Sequence, residues 1–423
     1  DSLVVLVDRL GRRLRAALDE RPDVLKRARP LYAVSTPSLD AYDAYAAGVD
    51  ASRAGKLDEG TRMFRRAVSI DTAFAAAWLA LALNWVTLGQ RDSAVVAFTR
   101  AHAMPERLTV AQRARVEAQM AATLDADLPR ALRLYDDLVA TDSTVIAGRT
   151  SRGVTRMQVG DYEGAIDDFR RAYRMLAPFV PALGQVQLVD QAIALASLGR
   201  AAAVDSLRPL MGERWRPMVT LLAPLARDDV RAAGRIADSL AAQGVTEPMV
   251  SPLIVASRAA AMAARGRIDS ADAILALAAR RTGGAEGRWY EQHRALLASA
   301  TGRMPRPALA AADTVEPVLV LVRAALSGDR DGVVRAAARL RALPEVERRR
   351  RGRATALAQA WMTGPEALRA LAVLPDANDV EADRPLGPVV VAIARRAGAL
   401  EGIPPVRVPA SELPARLLLR TMP

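Results

Sequence analysis

The chain of 423 residues contains no cysteine. Disulfides, thiolate metal ligands and a cysteine nucleophile are therefore excluded, while the compartment stays open. Histidine occurs only at His102 and His293, so one chain cannot assemble a multi-histidine metal site. Aromatic residues make up only 4% of the sequence, and lysine occurs only at Lys26 and Lys56. No apolar run reaches the roughly 20 residues that a spanning helix needs. The longest, Ala73 to Leu88, is broken by Asn84 and Thr87 and reads as a buried helix of a folded domain. None of the patterns GxxxxGK[ST], HExxH, GxSxG or GxGxxG occurs, which removes the usual sequence signs of phosphate-loop, zinc-protease, hydrolase and dinucleotide chemistry. The opening Asp1-Ser2-Leu3 lacks an initiator Met and a basic n-region. It reads as a processed or truncated start rather than a signal peptide.

What is present points to helix. Hydrophobic residues make up 51% of the chain, and alanine dominates them. Alanine, leucine and arginine are the strongest helix formers, so the composition predicts an all-α protein and argues against an all-β or a disordered one. Basic residues outnumber acidic ones, 59 to 47, for a net charge of +12. Almost all of that positive charge is arginine spread along the chain. It suits acidic partners in general without marking one surface.

Self-similarity supplies the organisation. The segment from Ala41 to Asp71 carries Gly48, Ala51, Gly55-Lys56-Leu57, Gly60, Phe64 and Ala67. Displaced by 34 residues come Trp78, Leu81, Ala82 and Trp85, then Gly89-Gln90-Arg91, Ala94, Phe98 and Ala101. A third copy holds Ala126-Asp127-Leu128, Ala131, Tyr135 and Leu138, after an insert around Pro105 to Thr109. The clearest copy is Gly153, Gly160-Asp161-Tyr162, Ala165, Phe169 and Ala172, over Ile146 to Arg174. Small residues at Gly48, Ala82, Gly60 and Ala94 let two helices approach closely. Phe64 and Phe98 fill the gap between hairpins, and a glycine after the first helix can take the left-handed cap conformation.

Beyond residue 180 the pattern erodes. Turns remain at Leu198-Gly199-Arg200, Ala226-Arg227-Asp228, Arg265-Gly266-Arg267, Thr301-Gly302-Arg303, Ser327-Gly328-Asp329 and Thr363-Gly364, about 26 to 39 residues apart. The expected organisation is an amphipathic helix in 1–20 with Leu3, Leu6, Val7, Leu10, Leu14 and Leu18 on one face. A Pro-containing linker follows in 21–38, ending at Ser38 as a helix cap. Well-formed repeats occupy 39–175 and degenerate hairpins 176–400, with a short cap helix near Val389 to Ala397. A Pro-rich extended tail closes the chain in 401–423. Roughly ten hairpins stack, because no single one can bury both its faces.

These residues resemble the tetratricopeptide (TPR) pattern. The order Asp1-Ser2-Leu3, Ser35-Thr36-Pro37-Ser38-Leu39-Asp40-Ala41-Tyr42 and Asp71-x-x-Phe74-Ala75 is similar to the TPR region of bacterial Ser/Thr kinase, adenylate-cyclase-like and winged-helix regulators. The likeness covers residues 1 to about 175. It implies an all-α, TPR-like helical-hairpin solenoid, a right-handed superhelix whose concave face binds a protein or peptide segment. Any effector would lie upstream of Asp1. The inward positions it implies are Tyr42, Tyr45, Val49 and Arg53 in the first repeat. Leu79, Leu83 and Thr87 follow in the second, and Thr150, Val154, Met157 and Gln158 in the fourth. The Lys/Asn set with which some relatives clamp a terminal carboxylate is missing. Tyr42 and Tyr45 could instead merely pack on the linker.

Other features weigh less. Asp136-Asp137, Asp167-Asp168 and Asp228-Asp229 are sequence neighbours that do not share a helix face, so they read as solvated or capping acids. His293, within Trp289 to Arg294, reads as structural, with a small pocket as the sharper alternative. The run Arg348, Arg349, Arg350, Arg351 and Arg353 suits an anionic contact. Glu345 and Glu347 beside it, and the lack of interleaved aromatics, favour a solvated helix end and count against nucleic acid. The reading is a non-catalytic interaction scaffold without cofactor or metal. The alternative is a structural repeat protein that self-assembles as a homo-oligomer or serves as a subunit.

Overall fold

A computed structural model describes residues 36–54, 56–88, 90–141, 146–178, 181–245, 250–282, 284–300, 317–373 and 386–399. Every regular element among the described residues is a helix. The chain divides into two compact units, residues 1–151 and 152–423.

In the first unit the helices pair as hairpins. Helix α1 (Leu39–Arg53) packs on α2 (Leu57–Ile70), α3 (Ala75–Thr87) on α4 (Arg91–His102), and α5 (Val110–Thr123) on α6 (Leu128–Thr141). The second helix of one hairpin then packs on the first of the next, α2 on α3 and α4 on α5. Ser38 caps α1 as expected, its hydroxyl accepting from the Ala41 N–H at 3.2 Å. The linker phrase has a physical role here. Thr36 donates to Asp71 Oδ2 at 2.6 Å, while Asp71 Oδ1 accepts from the Ala73 N–H at 2.9 Å. Residues ahead of the first hairpin are thereby tied to the connection between the first and second.

Small residues sit where the helices cross. A methyl group at Gly48 would lie 2.7 Å from the Phe64 ring. One at Gly60 would lie 2.2 Å from Ser52 Oγ and 2.9 Å from Asn84 Nδ2. Asn84 is buried because its amide is used, donating to Ser52 Oγ at 2.9 Å and to the Leu57 carbonyl at 3.3 Å. In the second hairpin Ala82 and Phe98 are both fully buried. Enclosing each phenylalanine contributes about 2 to 3 kcal/mol. The third hairpin solves the same crossing differently, for Gln119 stands where Gly48 stands in the first. The aromatic of α6 is Tyr135, whose hydroxyl donates to Gln119 Oε1.

Helix α7 (Ile146–Gln158) carries the division between the units. In the second unit, α8 (Tyr162–Leu176) brings Phe169 to within 2.7 Å of where a Gly153 methyl would lie, repeating the Gly48–Phe64 approach. There follow α9 (Pro181–Ser197), α10 (Ala201–Leu207), α11 (Arg216–Ala226), α12 (Val230–Ala242), α13 (Ser251–Ala263), α14 (Ile268–Thr282) and α15 (Gly284–Ala300). Beyond them lie α16 (Pro317–Ser327), α17 (Arg330–Arg341), α18 (Glu345–Arg350), α19 (Gly352–Thr363), α20 (Pro365–Val373) and α21 (Leu386–Arg396). One apolar cluster runs from Tyr162 to Leu297 and a second from Ala295 to Ala399.

The eroded repeats keep their turns. Gly160, Gly199, Gly266 and Gly328 all have positive φ, and so do Ala126 and Asp228 where glycine is missing, at 51° and 57°. Backbone geometry therefore outlasts the residue that best supports it. Asp229 caps α12 by accepting from the Ala232 N–H at 2.9 Å. Asp168 departs from the reading of the acidic pairs as solvated or capping. It is 1% exposed and lies 2.6 Å from Arg152 and 3.0 Å from Arg156. Helix α21 overlaps the helix expected near Val389 to Ala397 and begins three residues earlier. The amphipathic helix of 1–20, most of the 21–38 linker, the turn residues Gly55, Gly89 and Gly302, and the 401–423 tail lie outside the described residues.

Candidate functional site

On the first helices of the hairpins in residues 36–151, Tyr42, Tyr45 and Val49 form a stripe along α1, spaced for one helix face. Tyr45 does not simply rest on the linker. Its ring centroid lies 5.7 Å from that of Phe64 and 5.0 Å from that of Phe74, so the core fixes it. Tyr42 stacks on it at 6.3 Å and remains 41% exposed. On α3, Leu83 is half-buried, whereas Leu79 is 4% exposed and part of the apolar core, which leaves it little surface to offer a partner. Thr150 on α7 is half-buried. The side chains of Arg53 and Thr87 lie outside the described residues. In the second unit, Val154 is exposed at 37%, and Met157 and Gln158 are half-buried.

The sequence reading missed the polar residues that share the first unit with the tyrosines. Arg115 stands as far ahead of Ala131 as Trp78 stands ahead of Ala94, and Arg149 occupies the same place ahead of Ala165. Aligning the copies at this position would have shown arginine where the second copy has a large apolar side chain. Arg115 is half-buried, but its Nε is out of water and makes no hydrogen bond. Burial lowers its pKa, opposed by the nearby Tyr135 and Tyr45 hydroxyls. Burial likewise pushes the Tyr135 phenol up to about 12, against the Arg115 charge and a hydrogen bond with Ser151. Tyr135 therefore stays neutral in the physiological range.

The second unit holds a buried imidazole and the arginine run. His293 is fully buried, with its ring centroid 3.9 Å from that of Trp289. The Trp289 carbonyl 2.8 Å from Nδ1 can only accept, so Nδ1 carries the proton and Nε2 is a lone-pair acceptor. Burial holds the imidazole down to about 4 and hence neutral. Nε2, Ser257 Oγ and Gln292 Oε1 are buried without hydrogen-bond partners among the described residues. The arginine run is broken up. Arg348 is exposed and donates to the Arg341 carbonyl at 3.3 Å, Arg351 pairs with Glu347, and Arg353 is 7% exposed. The side chains of Arg349 and Arg350 lie outside the described residues. Among the described residues no group of three or more His, Asp or Glu gathers as a metal site would require, and no helix is long and apolar enough to cross a membrane.

No protein-family model matches the chain, and no curated protein matches its sequence. Solved structures align with it at low similarity. The crystal structure of PilW, a widely conserved type IV pilus biogenesis factor, aligns over 51% of this chain and 99% of its own at 15% identity, with a TM-score of 0.37. That of the P58(IPK) TPR domain aligns over 77% of this chain and 98% of its own at 11% identity, with a TM-score of 0.22. At such values the TPR-like character rests on this chain's own hairpins, above all the Gly48–Phe64 and Gly153–Phe169 crossings. Neither neighbour's role transfers to it.

Proposed function

We propose that the protein is a non-catalytic interaction module, and that the first helices of the hairpins in residues 36–151 take up a segment of a protein partner. One observation carries the reading. Tyr42 is an exposed aromatic held in place by Tyr45, which is itself locked against Phe64 and Phe74. Rigid aromatic anchors dominate protein interfaces because they bury large area while losing little side-chain freedom. Half-buried Val49, Leu83 and Thr150 would supply the surrounding contacts. The resemblance of residues 1 to about 175 to regulator repeat regions supports a place as the interaction part of a larger bacterial regulator.

Photo-crosslinking tests the reading. A photoreactive phenylalanine analogue placed at Tyr42 should yield a discrete adduct with a second protein in the source cells. The same analogue at Val96, on α4 and 56% exposed, should not. Adducts of equal yield at both positions, or at Val96 alone, would refute the assignment of the binding face.

A further inference from the structure

Half-buried acids of the second unit are engaged within the chain. Asp205 pairs with Arg208 and, at 3.0 Å, with Arg227. Asp238 reaches Arg258 at 2.8 Å, and Arg294 reaches Asp272 at 2.8 Å and Glu291 at 2.9 Å. Asp329 caps α17, accepting from the Gly332 N–H at 2.9 Å. Asp190 on α9 differs. It is half-buried, so one side of it meets water, yet it has no hydrogen bond or ion pair among the described residues. Val186, Asp190 and Ile193 follow at steps of four and three residues and so share one face of α9. Val186 is 37% exposed and Ile193 is half-buried. Ile193 stands six residues before Gly199, as the exposed Val154 stands before Gly160. Gln185 fixes a turn against the start of this stripe. Its amide donates to the Leu210 carbonyl at 2.8 Å, and its oxygen accepts from the Gly212 N–H at 2.7 Å. Leu210 is 48% exposed and adds apolar surface there.

We infer that Asp190 is the receptor for a lysine or arginine side chain of an apolar, basic partner segment lying along Val186 and Ile193. This adds a second interaction site, in the other unit, and does not depend on the Tyr42 face. Charge complementarity selects the occupant. A carboxylate partly withdrawn from water, with no cation of its own, is stabilised by a cation brought from outside. Burial also raises its carboxyl above the usual range, so the ionised form is costly until a cation arrives. A peptide fits better than a bare cation because Val186 and Leu210 offer apolar surface beside the charge. The chain as a whole carries +12 and repels basic segments at long range. Retention of one therefore reports a local acid.

The experiment uses the full chain and fluorescence anisotropy at pH 8. The probe is a labelled peptide of alternating leucine and lysine. A leucine–glutamine peptide removes its charge, and a serine–lysine peptide removes its apolar side. Only the leucine–lysine peptide should bind. Asp190→Asn keeps the shape and should weaken binding by about ten- to a hundred-fold, the range for losing a charged hydrogen-bond partner. Asp331→Asn, at an exposed acid of α17, should change it by about twofold. Without peptide, Asp190→Asn should melt no lower than the parent, because it removes an uncompensated charge. A lower melting temperature would reveal an internal partner and overturn the inference. Unchanged binding in Asp190→Asn, equal loss in Asp331→Asn, or equal binding of either control peptide would overturn it too. Binding that appears only when Arg416→Gln and Arg420→Gln are combined would give the site to the chain's own last residues and overturn the assignment to a partner. No binding in any form would remove the site. The Tyr42 adduct is unaffected by all of these outcomes, so the two readings fail separately.

Discussion

Buried His293 and half-buried Asp190, both in the second unit, should oppose one another as pH changes. His293 titrates at about 4 in the folded chain against 6.5 for the free side chain. Above pH 6.5 it is neutral in both states and contributes nothing to the pH dependence. Below that, the unfolded chain takes up a proton that the folded chain refuses. Stability then falls by about 1.4 kcal/mol per pH unit, to a total of about 3 kcal/mol near pH 4. Asp190 has the opposite sign. Burial pushes its carboxyl from 3.8 up to about 7. Above pH 7 the folded chain carries the whole cost of that buried charge, an upper limit of about 4 kcal/mol because the residue keeps some exposure. As pH falls from 7 towards 3.8 the folded chain takes up the proton and regains that stability. Between about pH 4 and 6.5 the two slopes cancel. Asp190→Asn removes one of them and should expose the other. Urea midpoints, converted through the measured m-value, should show the variant gaining on the parent by about 1.4 kcal/mol per unit from pH 4 to pH 7. Proton NMR of His293 should meanwhile show a neutral ring down to about pH 4. A stability difference that does not vary with pH, or a His293 midpoint near 6.5, would refute the reasoning.

Three further outcomes follow from the packing. Asp168→Ala removes the buried carboxylate that Arg152 and Arg156 share, leaving Arg156 its longer pairing with Asp161, and should cost about 3 kcal/mol in chemical denaturation. Gly60→Ala drives a methyl to 2.2 Å from Ser52 Oγ and 3.0 Å from the Gly48 carbonyl. It should destabilise by about 1 to 3 kcal/mol, read as a lower melting temperature, whereas an unchanged melt would show that α1 and α2 can separate freely. Ala126→Gly relieves a left-handed backbone at φ 51°. The relief of about 1 to 2 kcal/mol exceeds the entropic cost of glycine, about 0.5 to 1 kcal/mol, so the variant should melt slightly higher.

The fold was legible because its restraints are local and periodic. Gly48 with Phe64 and Gly153 with Phe169 recur at fixed spacing, and each pair states a helix crossing without reference to the rest of the chain. The turns stayed readable even where the aromatic was lost, since Gly199, Gly266 and Gly328 hold the left-handed conformation their positions demand. The site was less legible. Tyr42 and Tyr45 were found through the repeat register, but Leu79 lies on the same register and is buried, so periodicity alone did not separate surface from core. The ion pairing of Asp168 with Arg152 and Arg156 joins two helices across a turn. Its sequence trace, adjacent acids on a helix, looks the same as a solvated pair. Arg115 escaped because its environment is assembled from α1, α5 and α6, and a sequence does not display which neighbours a long side chain lacks.

The most direct test of the central claim is hydrogen exchange on the full chain with and without the protein captured at Tyr42. Slower exchange concentrated in 39–53, 75–87 and 110–123, with 57–70, 91–102 and 128–141 unchanged, is the predicted result. Protection confined to the second helices of the hairpins, or spread evenly over both sets, would contradict the account.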